Sequence, residues 1–128
     1  MSILVTDDDE AVLTLIKLFL ARAGHTVTCA LTSGEAFKLI EKQHFDLLIT
    51  DIFMPAGGGI ELIKRLRQAD STLKILVVSG GGLNFDTGDC LQTARNLGVH
   101  AALAKPFTQA SLFAAVDRAL SAPVRCVA

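Results

Sequence analysis

Short apolar segments alternate along the chain with segments in which apolar residues recur every three or four positions. The apolar segments are rich in Val, Ile, Leu and Ala, and some are apolar at nearly every position, which is typical of strands buried on both faces of a sheet. We predict five strands, at residues 3–6, 25–30, 45–50, 73–78 and 100–104.

An amphipathic segment follows each of these strands. The first carries apolar residues at helical spacing and stops before Gly24, a residue that commonly ends helices. The second starts with Thr32 and Glu35, which have the spacing of a capping box. We predict five helices, around residues 12–20, 32–43, 60–66, 91–97 and 108–119.

This strand–helix alternation, repeated five times, predicts an α/β fold. Strands that are separated by helices and apolar on both faces favour a doubly wound parallel sheet with helices on both sides. We predict one domain over residues 1–121 and a short C-terminal tail over 122–128. Sheets of this kind bind their ligands at the carboxyl ends of the strands.

Composition limits the functions that this domain could serve. The chain has 128 residues, with 12 basic and 13 acidic side chains and a formal net charge of −1, which argues against a strongly basic nucleic-acid surface. No apolar run approaches the ~18 residues of a membrane span, and the N-terminus lacks the pattern of a signal peptide. Three cysteines without paired spacing suggest reduced thiols. We therefore expect a cytoplasmic protein.

Charged and polar residues collect where the predicted strands end. The first strand runs into three aspartates at 7–9, the third into Asp51, the fourth into Ser79 and the fifth into Lys105. Because the strands are predicted to be parallel, their carboxyl ends meet at one edge of the sheet. The chain thus brings several carboxylates, a hydroxyl and an ammonium to the edge where ligands bind.

The acidic run after the first strand needs a positive partner, because neighbouring carboxylates repel one another. Mg²⁺ prefers oxygen ligands and takes one or two carboxylates together with water and phosphate oxygens. A purely structural alternative is that these acidic residues cap the next helix and stabilise it by interacting with the positive end of its dipole. We expect both: Asp7 and Asp8 to bind Mg²⁺, and Asp9 and Glu10 to serve the helix.

Asp51 stands at the end of an apolar strand, where a carboxylate is costly unless it is paired or used. It could be a structural partner of Lys105. With Mg²⁺ beside it, Asp51 could instead attack phosphorus, since aspartate is a known covalent phosphoryl acceptor. Lys105 would then balance charge on another oxygen, and Ser79 would hydrogen-bond the transferred group.

Four motifs in this order resemble the receiver domain of bacterial two-component response regulators. They are ILVTDDD (3–9), LLITDIFMP (47–55), ILVVSG (75–80) and AKPF (104–107). The resemblance, to the chemotaxis-regulator-like family in a stand-alone, single-domain form, covers nearly the whole chain. It implies the flavodoxin-like strand order 2-1-3-4-5 and a cis peptide bond between Lys105 and Pro106.

The resemblance also implies roles for individual residues. It implies that Asp51 is the phosphoacceptor and that Ser79 and Lys105 assist the transfer. It further implies that Mg²⁺ is bound by Asp7, Asp8, Asp51 and the main-chain carbonyl of Phe53.

A receiver domain of this kind implies partners as well. We expect a sensor histidine kinase or a histidine phosphotransfer protein as phosphoryl donor. The output is expected to be a downstream protein that binds the face formed by the fourth predicted helix, the fifth strand and the last helix. We expect no direct nucleic-acid binding, no membrane insertion, and a monomer or phosphorylation-linked dimer. Such a domain is not an enzyme for an external substrate; it catalyses only its own phosphorylation and dephosphorylation.

Two departures from the family pattern affect how the signal would leave the domain. The family usually has an aromatic residue three positions before the lysine, whereas this chain has Ala102. The loop after Ser79, over residues 79–89, is longer than usual and rich in glycine. The residues that the chemistry requires are nevertheless all present.

Two other functions compete with phosphoryl acceptance. A degenerate receiver would bind partners without phosphate, a reading that Ala102 and the altered loop favour. A haloacid-dehalogenase-type phosphatase could use Asp7, Asp9, Ser79 and Lys105, but the chain is short for that class and Asp51 would then have no role. A nucleotide-binding loop is disfavoured because the glycine-rich segment lacks the GxxxxGK[ST] pattern.

Overall fold

The computed structural model describes residues 1–51, 59–69, 73–79 and 98–121, which form a parallel sheet with helices on both faces. The described strands are β1 (Ser2–Thr6), β2 (Thr26–Ala30), β3 (Leu47–Asp51), β4 (Lys74–Ser79) and β5 (Ala101–Ala104). The described helices are α1 (Glu10–Arg22), α2 (Ser33–Lys42), α3 (Gly59–Gln68) and α4 (Gln109–Ser121).

The five strands are all parallel and lie in the order β2-β1-β3-β4-β5. This confirms the predicted fold class and strand order. In the register of the sheet, Thr6 pairs with Thr50, Asp51 with Val78, and Ser79 with Ala104. The carboxyl ends of β1, β3, β4 and β5 therefore lie side by side along one edge.

Alternate residues of each central strand pack into two separate cores, one on each face of the sheet. Ile3, Val5 and Ile49 face α1 and α4 in the first core. Leu4 and Leu48 face α2 and α3 in the second. Because both faces are covered, the strands are apolar at consecutive positions, and each fully buried Leu or Ile side chain contributes roughly 1.5–3 kcal/mol.

Local signals in the sequence set the starts of three helices. Asp9 is the N-cap of α1 and accepts the Ala11 N–H. Thr32 accepts the Glu35 N–H at the start of α2, as the capping-box spacing predicts. At the start of α4, the Ser111 N–H donates to the Thr108 hydroxyl at 3.0 Å, which agrees with the predicted cap.

Within the described residues, the five predicted strands and four of the five predicted helices agree with the structure apart from their ends. β3 starts at Leu47 rather than at 45 and includes Asp51. Gly24 follows the end of α1, as predicted, with a φ of 89°, a value that favours glycine. The predicted helix at 91–97, most of the glycine-rich loop at 79–89 and the tail at 122–128 lie outside the described residues. No described helix exceeds 13 residues, so the described segments contain none that would span a bilayer.

Candidate phosphoryl-acceptor and metal site

Asp7 and Asp8 follow β1 directly but lie in different surroundings. Asp7 is buried, with 2% of its surface exposed, whereas Asp8 is exposed. One oxygen of Asp7, Oδ1, accepts the Asp9 N–H at 2.9 Å. Asp9 in turn caps α1, so the turn between β1 and α1 holds the Asp7 carboxylate at the sheet edge. Asp9 therefore serves the start of α1, as predicted, whereas the metal-binding roles of Asp7 and Asp8 stay predictions.

Asp51 is the last residue of β3, the central strand of the sheet. Only 6% of its surface is exposed, and the neighbouring Thr50 is fully buried. A carboxylate at such a position requires a positive partner or hydrogen bonds to remain charged. Its place beside β1 brings it toward Asp7, since Thr6 and Thr50 are paired in the sheet.

Lys105 supplies the positive partner from the end of β5, which lies two strands away from β3 in the sheet. It follows β5, and its peptide bond to Pro106 is cis, as the resemblance implies. The ammonium donates to Asp7 Oδ2 at 2.9 Å and to Asp51 Oδ2 at 3.2 Å. One side chain thus links residues that are 98 and 54 positions away in the sequence.

The electrostatic state of Lys105 follows from these two contacts. Burial of the ammonium opposes its charged form. The hydrogen bonds and charge attraction of Asp7 and Asp51 outweigh that effect and raise the pKa of Lys105 above its ordinary value. Lys105 therefore remains a cation beside the two carboxylates.

The donor set of the site fits a hard divalent cation. Asp7, Asp8 and Asp51 each offer a carboxylate oxygen, and these oxygens all lie within 4.8 Å of one another. Three carboxylates and one ammonium leave two negative charges in excess, which a dication would neutralise. Oxygen ligands of this kind suit Mg²⁺.

The other two predicted site residues are described less completely. The main chain of Ser79 ends β4 and pairs with Ala104, so it lies at the same edge of the sheet as Lys105. Phe53 lies outside the described residues, and its predicted role as a metal ligand stays a prediction.

Ala102 lies in β5, paired with Val77, and is half-buried against the core of the second face. A methyl group there lacks the ring that could rotate between an inward and an outward position. The aromatic side chain that family members usually have at this position is therefore replaced by a half-buried methyl group.

The contact that the sequence did not predict is the hydrogen bond of Lys105 to Asp7. A charge pairing between Lys105 and Asp51 is one of the interpretations drawn from the sequence, and the structure contains it. The contact with Asp7 is nevertheless the shorter of the two. The sequence near Asp7 or near Lys105 does not predict this contact, because β1 and β5 come together only in the folded sheet.

Comparison with known proteins agrees with this geometry. The chain matches the family described as Response regulator receiver domain over residues 3–117. It is 34% identical over 120 residues to the DNA-binding transcriptional regulator NtrC of Azospirillum brasilense, covering 94% of this chain and 24% of that protein. It is 35% identical over 118 residues to the alkaline phosphatase synthesis transcriptional regulatory protein PhoP of Bacillus subtilis, covering 92% of this chain and 48% of that protein. The chain thus spans between about a quarter and about half of the length of these relatives.

Solved structures show the same fold. The chemotaxis protein CheY4 of Vibrio cholerae superposes with a TM-score of 0.83 at 26% identity, covering 93% of this chain and 98% of that one. A CheY-like receiver domain protein from Methanospirillum hungatei gives a TM-score of 0.83 at 29% identity, covering 93% and 92%. Since the family match spans most of the chain and the fold agrees with it, the protein belongs to the response regulator receiver domain family of two-component signalling systems.

Proposed function

We propose that Asp51 accepts a phosphoryl group, in a reaction that depends on Mg²⁺, from the phosphohistidine of a sensor histidine kinase or a histidine phosphotransfer protein. The observation that carries this proposal is the position of the Lys105 ammonium, which bridges the buried carboxylates of Asp7 and Asp51. Asp7, which follows β1, and Lys105, which follows β5, thus lie close to Asp51 at the edge where parallel sheets bind ligands.

The reaction needs a nucleophile and compensation for negative charge. An oxygen of Asp51 forms the new bond to phosphorus, while the phosphorus–nitrogen bond of phosphohistidine breaks and its electron pair stays on the histidine. Lys105, which already contacts Asp51, pairs with a negative oxygen of the incoming group as a point charge. The main chain places Ser79 at the same edge, where its hydroxyl would hydrogen-bond the phosphoryl group.

Asp7, Asp8, Asp51 and the carbonyl of Phe53 are the residues that would hold the metal. Bound Mg²⁺ screens the repulsion between the oxygens of the donor and those of the acceptor. The carboxylate cluster supports the assignment, because the oxygens of Asp7, Asp8 and Asp51 all lie within 4.8 Å of one another and carboxylate oxygens suit Mg²⁺. The domain acts on no external substrate: it catalyses its own phosphorylation and, later, its dephosphorylation.

Phosphorylation would change which protein the domain binds. An aspartyl phosphate adds negative charge and acceptor oxygens, which bias a switch between pre-existing states. With Ala102 in β5, we infer that the switch operates through Ser79, the loop at 79–89 and the predicted helix at 91–97. The binding face that it changes would consist of that predicted helix, β5 and α4. The domain would act in the cytoplasm, as a monomer or a phosphorylation-linked dimer, without binding nucleic acid itself.

The test is phosphorylation by acetyl phosphate, followed by intact-protein mass spectrometry. We expect wild type to gain one acid-labile phosphoryl group when Mg²⁺ is present and none in a chelator. Asp51→Asn should gain none. Asp46→Asn is a matched control, because Asp46 directly precedes the first residue of β3, at the opposite edge of the sheet from Asp51. This substitution should leave the reaction intact. An undiminished mass increase in Asp51→Asn refutes the assignment.

A phosphate-independent receiver is the second candidate, and the observation that favours it is the half-buried methyl group of Ala102 where the usual switch residue is aromatic. Such a domain would bind its partner equally well with Asp51→Ala. A partner affinity that depends on Asp51 and on phosphorylation would exclude it.

A further inference from the structure

A threonine directly precedes each of the two buried aspartates at the carboxyl edge of the sheet. Thr6 is the last residue of β1 and Thr50 the last but one of β3, and the two are paired in the register and buried. The strand residues before them, Ile3–Val5 and Leu47–Ile49, are all apolar. Two hydroxyls thus stand at the end of apolar runs, where a hydroxyl is costly to bury unless it makes a hydrogen bond.

The two hydroxyls have different partners. The Thr6 hydroxyl donates to the main-chain carbonyl of Thr32, the N-cap of α2, over 3.5 Å. The Thr50 hydroxyl donates to the main-chain carbonyl of Asp51 at 3.1 Å. The shorter of these two hydrogen bonds therefore holds the main chain of the proposed phosphoacceptor itself.

This hydrogen bond lies where the pairing of β3 changes. Thr50 is paired on both sides, with Thr6 of β1 and Val77 of β4. Among the described residues the pairing with β1 ends there, and Asp51 is paired with Val78 of β4. The bond from Thr50 closes a ring through the main chain of both residues, so it restrains rotation about the N–Cα bond of Asp51. The same Cα carries the Asp51 side chain, and the restraint therefore also fixes the direction from which the carboxylate projects.

We propose that Thr50 is a positioning residue of the acceptor site, whose buried hydroxyl holds the main chain of Asp51 so that the carboxylate is correctly oriented. This inference rests on the proposed function, to which it adds a residue that contacts neither the cation nor the phosphoryl group. The physical reason is alignment, because a small displacement of a reacting group slows a transfer reaction strongly. The cation depends on the same orientation, since Asp51 supplies one of the clustered carboxylate oxygens.

The first test compares wild type with Thr50→Val, Thr50→Ser and Thr28→Val. Valine keeps the shape of threonine without the hydroxyl, whereas serine keeps the hydroxyl. The control, Thr28→Val, makes the same chemical change in β2, on the far side of β1 from β3. Isothermal titration calorimetry measures the affinity for Mg²⁺, and mass spectrometry measures the rate of phosphorylation by acetyl phosphate at saturating Mg²⁺.

We expect Thr50→Val to lose roughly threefold to tenfold in both quantities, which is the factor that one hydrogen bond contributes to an equilibrium. Thr50→Ser and Thr28→Val should stay within about twofold of wild type. A loss in either quantity that serine restores supports the inference. Wild-type values of both quantities in Thr50→Val, or equal losses in Thr50→Val and Thr50→Ser, overturn it.

Stability separates positioning from a merely structural role. By the alternation of the strand, Thr50 lies on the same face as Leu48, which packs in the second core, so that valine fits the site. Thr50→Val should therefore unfold at the same urea concentration as wild type or at a higher one. A variant that unfolds at lower urea while it keeps wild-type Mg²⁺ affinity and phosphorylation rate would show a structural role and overturn the inference.

A further measurement uses the wild-type protein and does not depend on how a variant folds. A buried hydroxyl proton that is held by a carbonyl exchanges slowly with water and gives its own NMR signal. We expect this signal for Thr50 in metal-free protein, and none for the exposed Thr26. A Thr50 hydroxyl proton that exchanges too fast to be observed overturns the inference.

These experiments separate failure of the inference from failure of the proposed function. If wild type binds no Mg²⁺, or if Asp51→Asn still gains a phosphoryl group, the proposed function is wrong. If wild type binds Mg²⁺ and is phosphorylated on Asp51, and Thr50→Val does both equally well, the proposed function stands and the positioning role is wrong.

Discussion

Asp8→Asn should change the stability of the protein in opposite directions with and without Mg²⁺. Asp8 contributes a carboxylate oxygen within 4.8 Å of those of Asp7 and Asp51. Two unit charges at 4.8 Å interact with about 0.9 kcal/mol in water and about 3.5 kcal/mol at an effective dielectric of 20. Asp8 is exposed, which places each repulsion near the lower figure, and the attraction to Lys105 offsets part of the total. We expect the metal-free variant to be about 1 kcal/mol more stable than wild type.

Saturation with Mg²⁺ should reverse this order. A ligand that binds only the folded state stabilises it by about 1.4 kcal/mol at ten times its Kd. The variant lacks one metal ligand and should lose most of this gain, so that it becomes the less stable protein.

Thermal and chemical unfolding, followed by circular dichroism in a chelator and in millimolar Mg²⁺, measure both effects. A difference of 1 kcal/mol corresponds to a shift in Tm of about 4 °C for a chain of this size. Glu41→Gln is the matched control, because it removes an exposed negative charge from the far end of α2 and should not change the response to Mg²⁺. A metal-free Asp8→Asn that is less stable than wild type would contradict the repulsion. A Mg²⁺ response equal to that of wild type would show that Asp8 is not a ligand.

Three further predictions concern the scaffold. The Ser2 N–H donates to Asp46 at 2.8 Å and lowers the pKa of that carboxyl, so the stabilising effect of this hydrogen bond is present above the ordinary pKa of Asp and is lost as the pH falls through the lowered pKa. Asp46→Asn should therefore make the free energy of unfolding less dependent on pH in the acid range, and an unchanged dependence would contradict this. Thr32→Ala removes the hydroxyl that accepts the Glu35 N–H and should cost about 1 kcal/mol in urea unfolding, whereas Thr32→Ser should cost much less; equal losses would mean that the cap is not the cause. Burial raises the pKa of the Cys29 thiol, so iodoacetamide should label it near neutral pH more slowly in the folded protein than in urea, and equal rates would refute the burial argument.

Much of the scaffold could be predicted from the sequence because its determinants are local. A strand covered on both faces must be apolar at consecutive positions, and the run from Ile3 to Val5 shows this directly. Thr32 and Thr108 mark helix starts because each hydroxyl binds an N–H three residues ahead. Parallel strands also place their carboxyl ends together, so the topology brings Asp51 and Lys105 to the same edge of the sheet.

The pairing of individual side chains was decided only by the tertiary structure. Asp7 and Asp8 are neighbours with the same side chain, yet one is buried and paired with Lys105 while the other is exposed. In the same way, His100 Nδ1 accepts the Ile75 N–H, a contact that nothing in the sequence near either residue signals. Such contacts depend on distances of a few ångströms between elements that are far apart in the chain. Those distances arise when all the helices and strands pack around both cores at once, so no short stretch of sequence contains them.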